Sequence, residues 1–224
     1  IRIHKFNANY PHSLGLIYSA ITFFLGWKHH CDEGIIMGLA PYGNPYRIIP
    51  KQSLTYIDVF RKIISIDKKL GIKINTEWLA YHRQRDVWVS DKFRLFFGKK
   101  RNLNDKITNH HKNIAAALQL RLEEVVIATL KKIKKKYNIN KLCIAGGVGL
   151  NCSLNGKIHN SNIFKEIFVQ PASGDSGLVI GGLYLGIKNK FAKKLKIEKR
   201  YNNYLGSTFT NKEIEKVLIK KKVK

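Results

Sequence analysis

The chain has 224 residues and a formal net charge of +26 at pH 7. Hydrophobic residues make up 44% of it, so it can bury a proper core, and no low-complexity run indicates disorder. No apolar stretch reaches the roughly 18–20 residues that span a bilayer, and the N-terminus lacks a signal-peptide pattern. The three cysteines, Cys31, Cys143 and Cys152, fit neither a disulfide framework nor a metal spacing. A cytoplasmic protein without a membrane partner is therefore expected.

The basic charge has two explanations. Lysine supplies 32 of the 41 basic residues and arginine only 9, alongside abundant Ile and Asn. That mix is typical of codon drift in an AT-rich genome, and no basic motif interleaved with aromatic residues is evident. Composition therefore favours drift over a dedicated nucleic-acid surface, and no specific nucleic-acid partner is expected. The chain also begins without Met and ends in a lysine-rich helical pattern, so we interpret it as a fragment.

Helix-capping and helix-breaking residues predict the first secondary-structure elements of the chain. Ser13 is a good N-cap for an apolar helix over about residues 14–25. A short helix is expected within Gly34–Gly43, stopped by Gly38 and Pro41. The next stretch, residues 44–108, shows only short β-prone runs between basic turns, namely Asp86–Val89 and Phe93–Phe97, and is interpreted as an irregular insertion.

The second half of the chain alternates helices and strands. Apolar residues recur at three- and four-residue intervals over 109–137, which predicts a long amphipathic helix. After it we expect a buried strand at 142–145, with Cys143 as a small core residue, a helix at 148–159, a strand at 167–169 and a helix at 175–188. This order predicts an α/β domain with a parallel or mixed sheet and crossover helices. A basic linker at 191–203 is followed by Thr210, whose capping box with Glu213 opens a new helix.

Two glycine-punctuated loops follow the two predicted strands. The first is Gly146–Asn151 (GGVGLN), and the second is Pro171–Gly177 (PASGDSG). A short strand, a glycine turn and a helix N-terminus suit an anion, because free backbone N–H groups and the helix dipole point the same way. Glycines also let the backbone approach a ligand closely. The pair suggests one pocket that holds a phosphorylated nucleotide, with Gly146, Gly147, Val148 and Asn151 as its binding residues.

Each of these residues also has an ordinary structural interpretation. GGVGLN fits a tight strand-to-helix turn as well as a nucleotide loop in which Asn151 contacts ribose or base. Asp175 is either a helix N-cap or a carboxylate that coordinates a hard cation. His12 is either a capping histidine or a catalytic one, and Glu33 is either a first-turn acid or a pocket residue. No His pair stands at metal-ligand spacing, so a metal needs ligands from outside this sequence.

Five segments occur in the order seen in the NodU/CmcH-type carbamoyltransferases, which the chain therefore resembles. They are NYPHSLGLIYSAITFFLG, DEGIIMGLAPYG, NIAAALQLRLEEV, LCIAGGVGLNCSLNGKI and IFVQPASGDSGLVIGG, and together they cover most of residues 9–188 outside 44–108. The resemblance implies a partial fold of the actin/Hsp70/sugar-kinase (ASKHA) type, incomplete at both ends, over residues 1–190. It also implies the start of a YrdC-like C-terminal domain at 204–224.

The resemblance further implies an ATP-dependent O-carbamoyltransferase. In that family, carbamoyl phosphate and ATP give carbamoyl-adenylate, and the carbamoyl group passes to a hydroxyl-bearing small-molecule or sugar acceptor. Gly146, Gly147, Val148 and Asn151 match the adenylate loop, and Asp175 matches the aspartate that holds an Fe(II)-type divalent metal. The fragment is expected to be inactive alone. Two positions depart from the family pattern: Ile35 stands where a lysine is usual, and Gly149 where alanine is common.

Two other functions stay open on the sequence alone. One is a tRNA threonylcarbamoyladenosine-type transfer, which belongs to the same superfamily. The other is a basic nucleic-acid-binding module built on a degenerate nucleotide fold. The PHSLG and MGLAPYG segments favour O-carbamoyl transfer over both.

Overall fold

The computed structural model describes residues 9–66, 71–191 and 206–222. Internal packing divides the chain into two units, Ile1–Leu178 and Val179–Lys224. The first unit contains the hydrophobic core and the two glycine loops. The predicted basic linker at 191–203 lies outside the described residues, apart from the backbone of Phe191, and its predicted boundaries stay a prediction.

Helix α1, Leu14–Phe24, is buried along most of its length. It starts where the sequence predicted, because the Ser13 hydroxyl accepts a hydrogen bond from Leu16 N at 3.3 Å. It ends before Gly26, whose φ of +93° and close approach to the Arg101 carbonyl leave no room for a side chain. Arg101 is only 6% exposed and donates to the carbonyls of Leu25, Leu103 and Asp105.

Helix α2, Glu33–Leu39, runs through Gly38. The prediction that Gly38 stops the helix is therefore wrong, and the chain tightens instead into a 3₁₀ turn at Ala40–Tyr42 that contains Pro41. The turn leads to Gly43, where an added Cβ would lie 2.1 Å from the Lys112 carbonyl oxygen. This backbone-on-backbone contact fixes the MGLAPYG segment against the long helix described below.

Residues 44–108 are more regular than the sequence indicated. They form helix α3 (Tyr56–Ile63), the antiparallel strands β1 (Ile64–Ile66) and β2 (Ile72–Ile74), and helix α4 (Asp91–Phe97). The β-prone interpretation of Phe93–Phe97 is wrong, because Ser90 caps a helix there and places Phe93 and Phe97 together in the core. The segment thus supplies much of the core, and whether it is an insertion stays a prediction.

Helix α5, Asn109–Tyr137, has the predicted bounds. Its apolar stripe lies in the core, with Ile114, Leu118, Leu122 and Val125 at most 1% exposed. It ends at Asn138, which adopts the left-handed conformation with a φ of 48°. Because α5 contacts α1, α2, α3 and the 3₁₀ turn, it is the element around which the first unit is built.

Strands β3 (Lys141–Ile144) and β4 (Glu166–Val169) pair in parallel, and helix α6 (Cys152–Asn160) connects them. The mixed α/β class and the parallel pairing are confirmed. The buried character predicted for the first strand is wrong, since exposed and half-buried residues alternate along both strands. Cys143 is exposed and therefore not a core residue, because it shares with its partner Phe168 the face that points away from the core.

The described residues of the second unit lie mainly in two helices. Helix α7 spans Ser176–Phe191, beginning in the first unit, and helix α8 spans Asn211–Lys220. The predicted capping box is confirmed: the Thr210 hydroxyl accepts from Glu213 N, and the Glu213 carboxylate accepts from Thr210 N. Among the described residues, no helix combines the length and apolar character needed to cross a membrane.

Candidate functional site

The two glycine loops lie side by side at the carboxyl ends of β3 and β4. Gly146 N donates a hydrogen bond to Ser173 O at 2.8 Å, and Gln170 N donates to Ile144 O at 3.0 Å. Ligands of open α/β sheets bind at this edge, beyond the carboxyl ends of the strands. Parallel pairing thus brings together two loops that the sequence separates by a complete helix.

A cleft with a volume of about 700 Å³ opens beside the loops. Four of the predicted site residues line it: Gly147, Val148, Asn151 and Asp175. The rest of its wall comes mainly from α1 and from the chain around the start of α2, and includes Ser13, Tyr18, Ser19, His30, Cys31, Glu33 and Met37. The predicted nucleotide loop and the predicted metal aspartate therefore share one concave site.

The glycines of the first loop have different roles. Gly146 does not line the cleft, but it makes the turn with a φ of +102°. Gly147 does line it, and an added Cβ would meet no atom within 4 Å. At Gly149 a Cβ would lie 3.0 Å from Ser173 Oγ, so the glycine lets this loop close on the second one. The backbone at Gly147 is therefore the part of the loop most open to a ligand.

Asn151 is only 9% exposed, and its amide is engaged within the protein. Its Oδ1 accepts from Leu154 N at 2.9 Å, which makes Asn151 the N-cap of α6. The same oxygen accepts from Gln119 Nε2 at 3.1 Å, and Nδ2 donates to Gln119 Oε1 at 2.8 Å. The Asn151 side chain therefore has a structural role, because it joins the loop to α6 and to Gln119.

Asp175 stands immediately before α7, with its side chain exposed at the cleft. Two residues later, a Cβ at Gly177 would lie 2.1 Å from the Ala172 carbonyl oxygen, so this loop conformation requires glycine. Within the described parts of the chain, no group of three or more His, Cys, Asp or Glu side chains is arranged to hold a metal ion. Among these residues, Asp175 therefore belongs to no three-ligand metal site.

His12 does not line the cleft. Its Nδ1 accepts a hydrogen bond from Ile74 N at 3.2 Å, which connects the chain before α1 to strand β2. Tyr81, which follows β2 in the chain, also anchors this segment, since its hydroxyl donates to Pro11 O at 2.8 Å. The geometry gives His12 an anchoring role, and its catalytic role stays a prediction.

A polar cluster of Ser19, His30 and Glu33 lines the cleft and was only partly foreseen. Glu33 is both the first residue of α2 and a pocket residue, so the two interpretations of it are compatible. Its Oε1 accepts from Ser19 Oγ at 2.6 Å and from His30 N at 2.7 Å. Sequence reasoning missed Ser19 and His30. The signal for Ser19 was a hydroxyl within an otherwise apolar helix.

The charge of the cleft is opposite to that of the chain. Glu33 and Asp175 line it, whereas no lysine or arginine does among the described residues. Ile35, at the position of the family lysine, is 46% exposed and does not line it either. Burial raises the pKa of the Tyr18 phenol, and the nearby Glu123 and Glu33 raise it further, so this wall residue stays a neutral hydroxyl.

Some of the basic residues that could have formed a nucleic-acid groove serve the fold instead. The Arg101 guanidinium is buried in carbonyl contacts and stacks over Trp27, 4.5 Å from the ring centroid. Lys100 Nζ lies 3.3 Å from the centroid of the Phe23 ring, and burial lowers its pKa. Arg94 pairs with Asp91. Arginine and lysine at these positions thus have structural partners.

Comparison with known proteins identifies the relatives. The family model described as "Carbamoyltransferase N-terminus" matches residues 1–183. An uncharacterized protein of Synechocystis sp. is 33% identical over 216 residues, which are 94% of this chain and 33% of the relative. Nodulation protein NolO of Bradyrhizobium diazoefficiens is 31% identical over 201 residues, 90% of this chain and 33% of the relative.

A different relative matches only part of the chain. The tRNA N6-adenosine threonylcarbamoyltransferase of Borrelia hermsii is 38% identical over 87 residues, which are 38% of this chain and 25% of that protein. The chain spans about a third of the length of the relatives that it matches along most of its own length. Because the family model covers far more than half of its residues, the chain belongs to the carbamoyltransferase family, in the N-terminal part of such enzymes.

Proposed function

We propose that this chain forms the nucleotide-binding and carbamoyl-transfer part of an ATP-dependent O-carbamoyltransferase. The observation that carries the proposal is the single cleft in which Gly147 and Val148 of one loop meet Asp175 of the other, in a chain of this family. Carbamoyl phosphate and water would give carbamate and phosphate, and carbamate and ATP would then yield carbamoyl-adenylate with release of pyrophosphate. The carbamoyl group would pass to a hydroxyl of a small-molecule or sugar acceptor, with AMP as the leaving group and loss of the hydroxyl proton.

The residues of the cleft support this chemistry in distinct ways. The open backbone at Gly147 gives the adenylate a close approach that any side chain would obstruct. Gly146 and Gly149 hold the loop in the shape that presents Gly147. The carboxylates of Glu33 and Asp175 attract hydroxyl donors and cations rather than free phosphate. The nucleotide would therefore be held chiefly by backbone groups on its phosphate side.

Asp175 would hold the divalent Fe(II)-type metal that the family implies. Its carboxylate suits this role, because it is exposed at the cleft and accepts no hydrogen bond from the described residues. Such a metal polarises an acyl carbonyl or lowers the pKa of a hydroxyl, which is otherwise a poor nucleophile at neutral pH. The other ligands would be histidines outside this sequence, so the chain alone should bind the metal weakly.

Threonylcarbamoyl transfer to tRNA is the second candidate. The partial similarity to the Borrelia hermsii enzyme and the charge of +26 favour it. The match with family members along nearly the whole chain favours O-carbamoyl transfer. A purely nucleic-acid-binding module is the third candidate, and the structural partners of Arg101 and Lys100 count against a basic groove at that place.

The test is a transfer assay with the protein purified from its natural open reading frame. It would be supplied with ATP. One arm would contain isotopically labelled carbamoyl phosphate and hydroxyl acceptors. The other would contain tRNA, bicarbonate and isotopically labelled threonine, because a threonylcarbamoyl group requires threonine and a carbonyl source. Label in an acid-stable product of a hydroxyl acceptor, dependent on ATP, is the expected result. Label in tRNA, or nanomolar tRNA binding without any carbamoyl transfer, would overturn the proposal.

A further inference from the structure

Four buried polar side chains form a continuous network behind the cleft. Tyr18, Gln119, Glu123 and Asn151 are each at most 9% exposed. The Tyr18 hydroxyl donates to Gln119 Oε1 at 3.0 Å, and Gln119 Nε2 donates to Glu123 Oε1 at 2.7 Å. With the reciprocal pair between the Gln119 and Asn151 amides, every polar atom of Gln119 is bonded to the protein. Buried groups bonded in this way are costly to disturb.

The direction of each hydrogen bond in the network is set at its two ends, by the Glu123 carboxylate and by the Leu154 N–H group. A carboxylate only accepts, so the Gln119 amino group must face Glu123, and Gln119 Oε1 must face Tyr18 and Asn151. Asn151 accordingly donates its amino group to Gln119 Oε1, and its Oδ1 accepts from both Gln119 Nε2 and Leu154 N. Lys157 Nζ pairs with the other carboxylate oxygen of Glu123.

Gln119 and Glu123 are set apart from the cleft itself. They line a separate cavity of about 390 Å³, whereas Tyr18 and Asn151 line the cleft. Asn151 also closes the glycine turn, since its N–H donates to Val148 O at 3.0 Å. The hydrogen bonds of this network reach the wall of the cleft at Asn151 and Tyr18.

We propose that Gln119 and Glu123 are positioning residues that hold Asn151, and with it the turn Gly147–Leu150, in the conformation that receives the nucleotide. The proposal rests on the proposed function for the identity of the ligand. Glu123 fixes the amide of Gln119, Gln119 fixes the amide of Asn151, and Asn151 fixes both the end of the turn and the start of α6. The binding loop is thus supported by two residues of α5 that do not line the cleft.

The first experiment measures ATP affinity by calorimetry, with each variant well below its own Tm. Glu123→Leu and Gln119→Leu should weaken binding at least about tenfold, because each removes the group that orients the next amide. Glu123→Gln is the matched control: it keeps an oxygen that accepts from Gln119, and it should bind within about threefold of the wild type. If Gln119→Leu does not fold, Gln119→Met, which keeps the side-chain length, replaces it.

A double-mutant cycle with Asn151→Ala separates positioning from general stabilisation. If Gln119 acts through Asn151, Gln119→Leu should cause no further loss of ATP affinity in the Asn151→Ala background. Additive losses, or a lower Tm with unchanged affinity in the single variants, would contradict the proposal. The first result would mean that Gln119 affects the ligand independently of Asn151, and the second would make Gln119 a purely structural residue.

Amide hydrogen exchange in the protein without ligand tests the same idea independently of ATP. Exchange at Gly147–Asn151 should speed up in Glu123→Leu and stay at the wild-type rate in Glu123→Gln. Unchanged exchange in both variants would refute the positioning role whatever the ligand is. If the wild-type protein does not bind ATP, but the two variants show the expected difference in exchange, the proposed function is refuted and the positioning role is not.

Discussion

A side chain at Gly147 should block the cleft without harming the fold. The structure leaves more than 4 Å of free space around a Cβ at this position, and φ is not in the left-handed region there. Gly147→Ala and Gly147→Val should therefore change the free energy of unfolding by no more than about 0.5 kcal/mol, the range of substitutions that disturb no packed neighbour. Urea unfolding curves measure this quantity.

The same substitutions should weaken nucleotide binding in a graded way. A ligand at van der Waals distance from the backbone must retreat when one carbon is added, and further when three are added. Hydrogen bonds between backbone N–H groups and a charged ligand contribute about 1.5–3 kcal/mol each, so losing one of them weakens binding about tenfold or more. Gly147→Val should therefore abolish measurable ATP binding in calorimetry, and Gly147→Ala should reduce it.

Two other glycines provide the controls. A Cβ at Gly156, on α6 and away from the cleft, also meets no atom within 4 Å, so Gly156→Ala should leave ATP affinity unchanged. A Cβ at Gly177 would lie 2.1 Å from a carbonyl oxygen, so Gly177→Ala should destabilise the protein. Equal ATP affinity in the wild type and a folded Gly147→Val variant would remove this loop from the site.

The remaining predictions concern the metal, the charge and acid stability. In the full-length enzyme, Asp175→Asn should reduce bound iron, measured by elemental analysis, together with carbamoyl transfer. Unchanged iron in a folded variant would remove Asp175 from the metal site. Random duplex DNA should bind only in the non-specific range of roughly 10⁻⁴–10⁻⁶ M at physiological salt, and a nanomolar Kd for tRNA in filter binding would contradict this. Burial acts to raise the pKa of Glu124, but hydrogen bonds from Arg61 and Arg121 outweigh it and lower the pKa. The stability that comes from this depressed pKa is present above the pKa of Glu124 in the unfolded state and is lost as pH falls through its pKa in the folded state. Glu124→Gln should therefore lower the free energy of unfolding by about 1–2 kcal/mol at pH 7, measured by urea unfolding, and by little in strong acid. An equal loss at both pH values would refute this linkage.

Local sequence signals determined a large part of this protein. The bounds of α5, the Ser13 cap, the Thr210 capping box and the parallel pairing of β3 with β4 all follow from spacing, capping and chain order. The helix and its caps depend on residues a few positions apart, and the parallel pairing follows from the crossover helix that joins the two strands. The ordered motifs likewise placed the chain in the carbamoyltransferase family.

Tertiary packing decided the features that local signals misjudged. Phe93–Phe97 has β-prone side chains, yet it is helical because the helix brings Phe93 and Phe97 onto one face of the core. Cys143 is exposed because only one face of the β3–β4 pair lies against the core, which a run of apolar letters does not reveal. The preference of a short segment is weak compared with the burial that the rest of the chain offers it.

The residues of the candidate site also fall into those that the sequence predicts and those that only the folded structure reveals. The glycines and Asp175 could be predicted, because a strand followed by a glycine turn and a helix is a local pattern. The support behind them could not, because Tyr18 meets Gln119 across 101 positions of sequence and Asn151 meets Gln119 across 32. Gln119 and Glu123 resemble any polar residues of an amphipathic helix until burial removes water from them. In that environment each donor and acceptor must find a protein partner, and only the folded chain determines which partner it finds.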